Sequence, residues 1–211
     1  MKVILLLFSI ICSLSGNCLI LNQKVGLPDE IIKLTGQEYE TSLASSEKKT
    51  LGISSIVKKE GVIIIETKNT KIVLADHLEA NCQACVKLYE VVGELPSISK
   101  LIIEEQQFRS STSLLIDLST GKIDTLQNDL FFSPNLKLLI NSNQMSKDQV
   151  IGGFKIFEII DGELSFNRIF QADWRIKELN WTAEGELLIK ANPIEDEMIY
   201  WNRFEYYKIK I

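Results

Sequence analysis

Residues 131–140 (FFSPNLKLLI) run from an aromatic pair through a polar turn into an aliphatic strand, and this order decides the fold class. Residues 180–189 (NWTAEGELLI) repeat the order, and residues 56–65 (IVKKEGVIII) repeat it more faintly. Pro, Asn and Gly favour tight turns because they fix or permit the backbone angles that a turn requires. Each segment therefore predicts two antiparallel strands joined by a turn.

Short apolar runs continue this pattern from residue 51 onward. They are rich in Val, Ile, Leu, Phe and Tyr, which favour strands. Gly-containing turns separate them, most clearly at residues 119–122 (STGK) and 161–162 (DG). No amphipathic helix of three turns stands out, and residues 76–88 predict a single helical turn. The predicted strands are residues 62–67, 71–76, 86–92, 100–108, 113–118, 136–141, 153–160, 163–171, 186–191 and 201–211.

Residues 132–137 (FSPNLK) resemble the turn of β-propeller blades of the WD-repeat and related kinds. Those blades often carry an aromatic-Ser-Pro-Asp-Gly-Lys-like sequence before an aliphatic strand, and Leu136 stands where Gly is usual. Residues 181–186 (WTAEGE) match more loosely, and residues 115–123 (LIDLSTGKI) resemble the hairpin that commonly precedes this turn. The resemblance covers about residues 110–192 and implies a propeller-like arrangement there.

The spacing of the repeats limits the size of such a propeller. Phe132 and Trp181 lie 49 residues apart, close to the roughly 40–50 residues of one blade. Val57 and Phe132 lie 75 residues apart, which fits neither one blade nor two. Propellers close with about 4–8 blades, and the chain after residue 50 suffices for about three or four. We therefore expect an all-β fold of antiparallel sheets, small or partial β-propeller-like, with a β-sandwich as the alternative.

The N-terminus has the order of a secretory signal peptide. Lys2 precedes an apolar run at residues 3–12, and small and polar residues follow at positions 13–17. A membrane anchor is the alternative, but a span needs roughly 20 apolar residues. We predict a signal peptide over residues 1–17 and an exported protein, located in the periplasm, at the cell envelope or outside the cell. Lipidation of Cys18 stays open, because residues 14–18 (LSGNC) loosely match a bacterial lipobox.

Residues 18–50 differ from the β-rich part and are predicted to form an N-terminal extension to the domain at residues 51–211. Leu27, Ile31 and Leu34 are spaced for one helix face, which predicts a short helix at residues 29–34 after Pro28. Residues 41–50 are polar and predict a loop.

Residues 76–85 (DHLEANCQAC) hold a C-x-x-C motif and the only histidine of the chain. In an oxidising compartment, Cys82 and Cys85 are expected to form a local disulfide. A metal site at His77, Cys82 and Cys85 is a weaker alternative, because zinc takes four ligands and a second Cys or His pair is absent. Redox chemistry is another, but the βαβ pattern that surrounds thioredoxin-type motifs is missing. Covalent haem attachment requires His where Val86 stands.

Motifs for catalysis do not stand out. There is no G-x-S-x-G nucleophile motif, and His77 is the only candidate for the acid–base role that His most often plays. Carboxylate pairs serve glycoside hydrolases, but Glu104-Glu105 and residues 195–197 (EDE) are interpreted as solvated charges. The aromatic run at residues 198–211 is interpreted as a final strand rather than a binding surface. We predict no catalytic residue and no cofactor.

The composition and net charge limit the classes of binding partner that we expect. The chain is 45% hydrophobic and 24% charged, with a net charge of −5, as for an ordinary folded protein. The absence of a basic excess argues against nucleic acid and against an electrostatic membrane contact, so a membrane enters only through a lipid on Cys18. We expect an exported binding or scaffold module for a protein or small molecule. The alternatives are an envelope or extracellular hydrolase that uses carboxylates and a lipid-anchored envelope protein.

Overall fold

A computed structural model describes residues 30–46, 50–79, 81–108, 110–127, 129–142, 152–172, 174–195, 198–199 and 202–211. The signal-peptide prediction and Cys18 lie outside these residues. Within them no helix has the length and apolar character needed to cross a bilayer. The elements are β1 (Glu30–Leu34), α1 (Gly36–Ala44), β2 (Val62–Glu66), β3 (Lys71–Ala75), β4 (Lys87–Leu95), β5 (Lys100–Gln107), β6 (Ser110–Asp117), β7 (Ile123–Gln127), β8 (Leu130–Phe132), β9 (Leu138–Ser142), β10 (Gly152–Ile160), β11 (Glu163–Ala172), β12 (Trp174–Trp181), β13 (Leu187–Glu195), β14 (Met198–Ile199) and β15 (Glu205–Lys210).

The strands form four antiparallel sheets, which confirms the all-β prediction. Sheet 1 is the hairpin β2-β3, sheet 2 is the meander β4-β5-β6-β7, and sheet 3 is the meander β8-β9-β10-β11. Sheet 4 has the order β12-β13-β15-β1, with β14 paired to β13. Strand β1 from the start of the described chain thus pairs with β15 from its end, and this pairing holds the two ends in one sheet.

Three apolar clusters lie between successive sheets. The first joins sheets 1 and 2, the second joins sheets 2 and 3, and the third joins sheets 3 and 4. Leu101 and Ile103 of β5 face sheet 1, whereas Ile102 between them faces sheet 3, because successive side chains of a strand point to opposite faces. Sheets 2 and 3 are therefore covered on both faces, which explains the continuous apolar runs at residues 101–103, 114–116 and 138–140.

The sequence repeat is also a structural repeat. Residues 133–136 and 182–185 turn the chain from β8 to β9 and from β12 to β13. In the first turn the Ser133 hydroxyl accepts a hydrogen bond from the Leu138 amide at 2.9 Å. In the second, the Thr182 hydroxyl accepts one from the Glu186 amide at 3.2 Å. Both turns therefore use a hydroxyl residue to satisfy a backbone amide at, or directly before, the start of the strand that follows.

Two predictions for the N-terminal part were wrong. Residues 30–34 form strand β1 rather than a helix, because pairing with β15 outweighs the weak local helical pattern. Helix α1 occupies residues 36–44, part of which was predicted to be a loop. Thr35 and Glu38 form a capping box that starts this helix, and Tyr39 buries its ring against Tyr206 at 4.8 Å between centroids. The N-terminal residues that the structure describes thus belong to sheet 4.

A buried ion pair connects the ends of β5 and β6. Lys100 Nζ lies 3.1 Å from Asp117 Oδ2, and both side chains are buried. The other carboxylate oxygen of Asp117 accepts hydrogen bonds from the Ser119 and Thr120 amides, each at 2.8 Å. Burial acts to raise the pKa of Asp117, but the hydrogen bonds from Ser119, Thr120 and Lys100 outweigh it and hold the pKa well below its ordinary value.

Candidate functional site

A cleft of about 490 Å³ lies where sheets 2, 3 and 4 converge, and we call it the central cleft. Strands β4, β8 and β12 each form one edge of their sheet, and each contributes residues to the cleft. Strands β5 and β6 and the segment before β2 complete it. Its lining residues are Leu51, Val92, Ile102, Glu104, Ser111, Ser113, Asp129, Leu130, Phe131, Phe132, Leu179, Asn180 and Trp181.

The chain before β2 brings sheets 2 and 4 together at the cleft. Ser46 forms an isolated β-bridge with Thr182, directly after β12 of sheet 4, and Gly52 forms one with Glu94 of sheet 2. Ser46 and Gly52 are six positions apart in the sequence, so their Cα atoms are at most about 21 Å apart. Gly93 permits the close approach of this segment, because a side chain there would meet Leu51 Cβ at 2.7 Å.

The walls of the cleft are mainly apolar. Leu51, Leu130 and Phe131 are half-buried, and Val92 is 47% exposed. Trp181 is 3% exposed, and its indole Nε1–H donates a hydrogen bond to the Phe131 carbonyl oxygen at 3.2 Å. This bond fixes the position of β12 relative to β8 and leaves the indole without a free donor toward a ligand.

A few polar groups face the same space. Glu104 accepts a hydrogen bond from the Ser111 hydroxyl at 2.6 Å. Asp129 lies exposed at the edge of β8, and the Asn180 side chain is 8% exposed. The lining thus contains two carboxylates and, within the part of the chain that the structure describes, no Lys, Arg or His. Such a lining attracts positive charge and hydrogen-bond donors.

Glu104 and Glu105 have different environments although they are neighbours. Glu104 lines the cleft, in contrast to the solvated edge position that was expected for both residues. Glu105 faces the opposite side of β5, where Lys87 Nζ lies 3.0 Å away. Burial acts to raise the pKa of Glu105, but hydrogen bonds from Lys87 and Gln107 outweigh it and lower the pKa. The sequence carried no signal that separates the two, since the face depends on the strand register.

A second recess of about 540 Å³ shares a wall with the central cleft. Both are lined by Asp129, Phe131, Leu179 and Asn180, whereas Ser142 lines the recess but not the cleft. The Ser142 hydroxyl is buried without a hydrogen-bond partner among the described residues.

The cysteine motif lies apart from the cleft, in the connection between β3 and β4. Cys82 and Cys85 form the predicted disulfide around a single 3-10 turn. The His77 side chain is exposed, and its Nε2 lies 3.8 Å from Glu79 Oε2. Glu79, Cys82 and Cys85 place potential ligand atoms within 4.8 Å of one another, but zinc binds thiolates, and disulfide sulfurs are not thiolates. The residues fit a disulfide clamp rather than a metal site.

The aromatic C-terminal run contributes to packing where it is described. Tyr206 packs on Tyr39, and Tyr207 stacks on Trp174 with ring centroids 5.0 Å apart. Ile209 is buried in the cluster between sheets 3 and 4. These contacts confirm the interpretation as a strand. The side chains of the acidic residues 195–197 lie outside the described residues.

Comparisons with protein-family models, with curated proteins and with solved structures find no match to this chain. The chemistry of the central cleft must therefore be inferred from its own residues. None of the cleft residues was predicted from the sequence as a binding residue. The aromatic-turn-strand repeat was the one usable signal, because it places Phe132 and Trp181 at equivalent positions of two sheets.

Proposed function

We propose that this protein is an exported binding module whose central cleft takes a ligand with an apolar or aromatic body and an amine group. The observation that carries this proposal is the lining itself: aliphatic and aromatic walls surround Glu104 and Asp129, and no described residue of this lining is a Lys, Arg or His. An apolar pocket with a few convergent polar groups is a usual place for a ligand. The volume of about 490 Å³ suits a small molecule or a single side chain of a protein partner.

The arrangement of the sheets supports the same proposal. We propose that the four sheets are blades of a small or partial β-propeller, in which β4, β8 and β12 are the inner strands. The repeated turns before β9 and β13 and the convergence of three edge strands on one cleft support this arrangement. Face-to-face packing of successive sheets also fits a β-sandwich. In the propeller arrangement the cleft is the central channel.

Export is part of the proposal. The signal-peptide order of residues 1–17 supports it. The Cys82–Cys85 disulfide suits an oxidising compartment. Mass spectrometry of the mature N-terminus tests this step: a free N-terminus near Gly16 supports simple cleavage, a diacylglyceryl mass on Cys18 supports lipid anchoring, and an intact Met1 on protein from the envelope contradicts signal-peptide cleavage.

Ligand class is tested with three probes that share one apolar body. Phenethylamine, 2-phenylethanol and 3-phenylpropionate differ in the polar group, and each is titrated into 15N-labelled protein. The proposal predicts that phenethylamine binds with Kd of about 1 mM, as expected for a fragment of this size. Amide signals of Val92, Glu104, Ser111 and Leu130 should shift with the amine. Equal or tighter binding of 3-phenylpropionate at these residues contradicts the proposal.

A second candidate function is hydrolysis, and the two carboxylates of the cleft favour it. A glycosidase needs one carboxyl with a raised pKa as its general acid. Binding requires only the apolar walls and one carboxylate of the lining, so it is the better supported function. Release of nitrophenol from p-nitrophenyl glycosides, lost in both Glu104→Gln and Asp129→Asn, establishes the hydrolase instead.

A further inference from the structure

The Cys82–Cys85 disulfide lies at the surface, in the connection between β3 and β4. Cys85 is exposed and Cys82 is half-buried. An exposed disulfide is open to attack by an external thiolate, and it is reduced more readily than a buried one. The described lining of the central cleft contains neither cysteine, so this motif is independent of the ligand site proposed above.

The disulfide encloses a very short loop, in which only Gln83 and Ala84 lie between the two cysteines. A disulfide stabilises a protein mainly by restricting the unfolded chain, and this effect grows with the number of residues that the bond encloses. The Cys82–Cys85 bond therefore contributes little to the free energy of unfolding. We expect the protein to stay folded when the bond is reduced.

Backbone hydrogen bonds hold this connection in place independently of the disulfide. The His77 amide donates to the Lys87 carbonyl oxygen at 2.8 Å, and the Lys87 amide donates back to the His77 carbonyl oxygen at 2.9 Å. The Cys82 amide donates to the Glu79 carbonyl oxygen at 3.2 Å, and the Cys85 amide donates to the Cys82 carbonyl oxygen at 3.0 Å. None of these four bonds involves a sulfur atom, so reduction of the disulfide leaves them intact.

Four side chains with potential metal-binding atoms lie together in this connection. A carboxylate oxygen of Glu79 and the sulfurs of Cys82 and Cys85 lie within 4.8 Å of one another. His77 Nε2 lies 3.8 Å from Glu79 Oε2. Zinc takes four ligands from thiolates, imidazoles and carboxylates, and two cysteines separated by two residues are a common ligand pair. Glu79 supplies the fourth ligand, which the histidine and the cysteines alone do not provide.

We propose that reduction of the Cys82–Cys85 disulfide converts these four side chains into the ligands of one zinc ion. A dithiol reductant supplies two electrons and two protons, the Sγ–Sγ bond breaks to give two thiols, and the reductant itself becomes a disulfide. Zn²⁺ then binds both sulfurs as thiolates and releases the two thiol protons. Since a disulfide sulfur is not a thiolate, the closed disulfide and the zinc complex are alternative states of the same loop.

The first measurement tests whether the disulfide is reducible in the folded protein. The purified mature protein is treated with dithiothreitol without denaturant and alkylated, and the peptide that contains both cysteines is analysed by mass spectrometry. Cys82 and Cys85 should both be alkylated, and the near-UV circular dichroism spectrum should stay that of the oxidised protein. A disulfide that is reduced only in denaturant, or a protein that unfolds on reduction, overturns the proposal.

The second measurement is zinc affinity, determined without oxygen by competition with a chromophoric chelator. The reduced protein should bind one Zn²⁺ with a Kd of about 1 µM or tighter, and the oxidised protein should bind it at least about a hundredfold more weakly. Co²⁺ in place of zinc should give a thiolate-to-cobalt charge-transfer band. Equal zinc binding by the two forms, no binding by the reduced form, or a cobalt complex without this band overturns the proposal.

Substitutions at the two exposed ligands keep the disulfide and test the site itself. Glu79→Gln and His77→Gln should each weaken zinc binding by the reduced protein at least about tenfold, because each removes one of four ligands. Glu66→Gln is the matched control, since Glu66 is an exposed carboxylate at the opposite end of the β2-β3 hairpin. It should bind zinc as the unchanged protein does. If all three variants bind zinc equally, the four-ligand site is wrong.

Discussion

Leu136 and Gly185 occupy the same position of the two repeated turns, and both have a positive φ, 55° and 82° respectively. Each is three residues after the hydroxyl residue that opens its turn, Ser133 or Thr182. Glycine adopts this conformation without a steric penalty, whereas leucine incurs one. Leu136 is retained there by packing, because its side chain is 7% exposed and lies in the cluster between sheets 2 and 3.

This relationship predicts that glycine at position 136 destabilises the protein less than alanine does, the reverse of the usual order at a buried site. Leu136→Ala removes the buried side chain and keeps the unfavourable φ, so it should cost about 2–4 kcal/mol of unfolding free energy. Leu136→Gly removes the same side chain but relieves the backbone, and it should cost about 1 kcal/mol less than Leu136→Ala. Urea denaturation measures both. Leu139, a buried strand residue of the same cluster, is the control, and there Leu139→Gly should lower the unfolding free energy more than Leu139→Ala. If Leu136→Gly also lowers it more than Leu136→Ala, the interpretation is contradicted.

The buried Lys100–Asp117 pair should be expensive to break. Asp117→Asn leaves the Lys100 ammonium buried without its counter-charge, and we expect a loss of about 3–5 kcal/mol. Breaking the exposed pair between Lys122 and Glu163 with Glu163→Gln should cost much less, because solvent screens exposed charges. Chemical denaturation at pH 7 measures both, and equal losses contradict the burial argument.

Asp117 also determines how the unfolding free energy changes as the pH falls. Its pKa is lowered in the folded protein, so the unfolded chain binds the proton first as the pH falls. The stabilisation is complete above the ordinary carboxyl range near pH 4 and is lost progressively below it. Asp117→Asn should flatten the fall in unfolding free energy between about pH 5 and pH 2. An unchanged slope in this variant shows that other carboxyls dominate acid unfolding.

Gly93 is expected to be intolerant of any side chain. Alanine there meets Leu51 Cβ at 2.7 Å and Gly52 O at 3.0 Å, which forces the segment before β2 away from β4. We expect Gly93→Ala to lower the unfolding free energy by about 1–3 kcal/mol and to alter the wall of the cleft. At Gly185 an added Cβ meets nothing within 4 Å, so Gly185→Ala should show only the backbone cost of about 1 kcal/mol. Hydrogen exchange at the Gly52 and Glu94 amides separates the two effects.

The strands that the sequence predicts are those with a strong local signal. Strands β2, β3 and β10 are β-branched or aromatic runs between turn residues, and each was expected within about one residue of its bounds. Strand β7 (IDTLQ) is short and polar, and β12 (WRIKELNW) mixes charges with apolar residues, so neither was predicted. Pairing with β6 and β13 makes them strands, and pairing is not visible in a single sequence.

The cleft was less predictable than the fold for the same reason. Residues from three sheets and from the segment around Leu51 meet there, and no local pattern relates residues so far apart in sequence. Glu104 and Glu105 illustrate the limit: one lines the cleft and the other binds Lys87 on the opposite face. A shift of one residue in the register of β5 exchanges their roles.

The most direct test of the binding proposal compares these two glutamates. Phenethylamine is titrated into the unchanged protein, Glu104→Gln and Glu105→Gln, with amide shifts at the cleft as the readout. Because the Glu104 carboxylate faces the cleft, Glu104→Gln should weaken amine binding about three- to tenfold and leave 2-phenylethanol binding unchanged. Glu105→Gln should bind the amine as the unchanged protein does. If the two variants bind the amine equally, or if no probe shifts cleft amides, the central cleft is not the binding site that we propose.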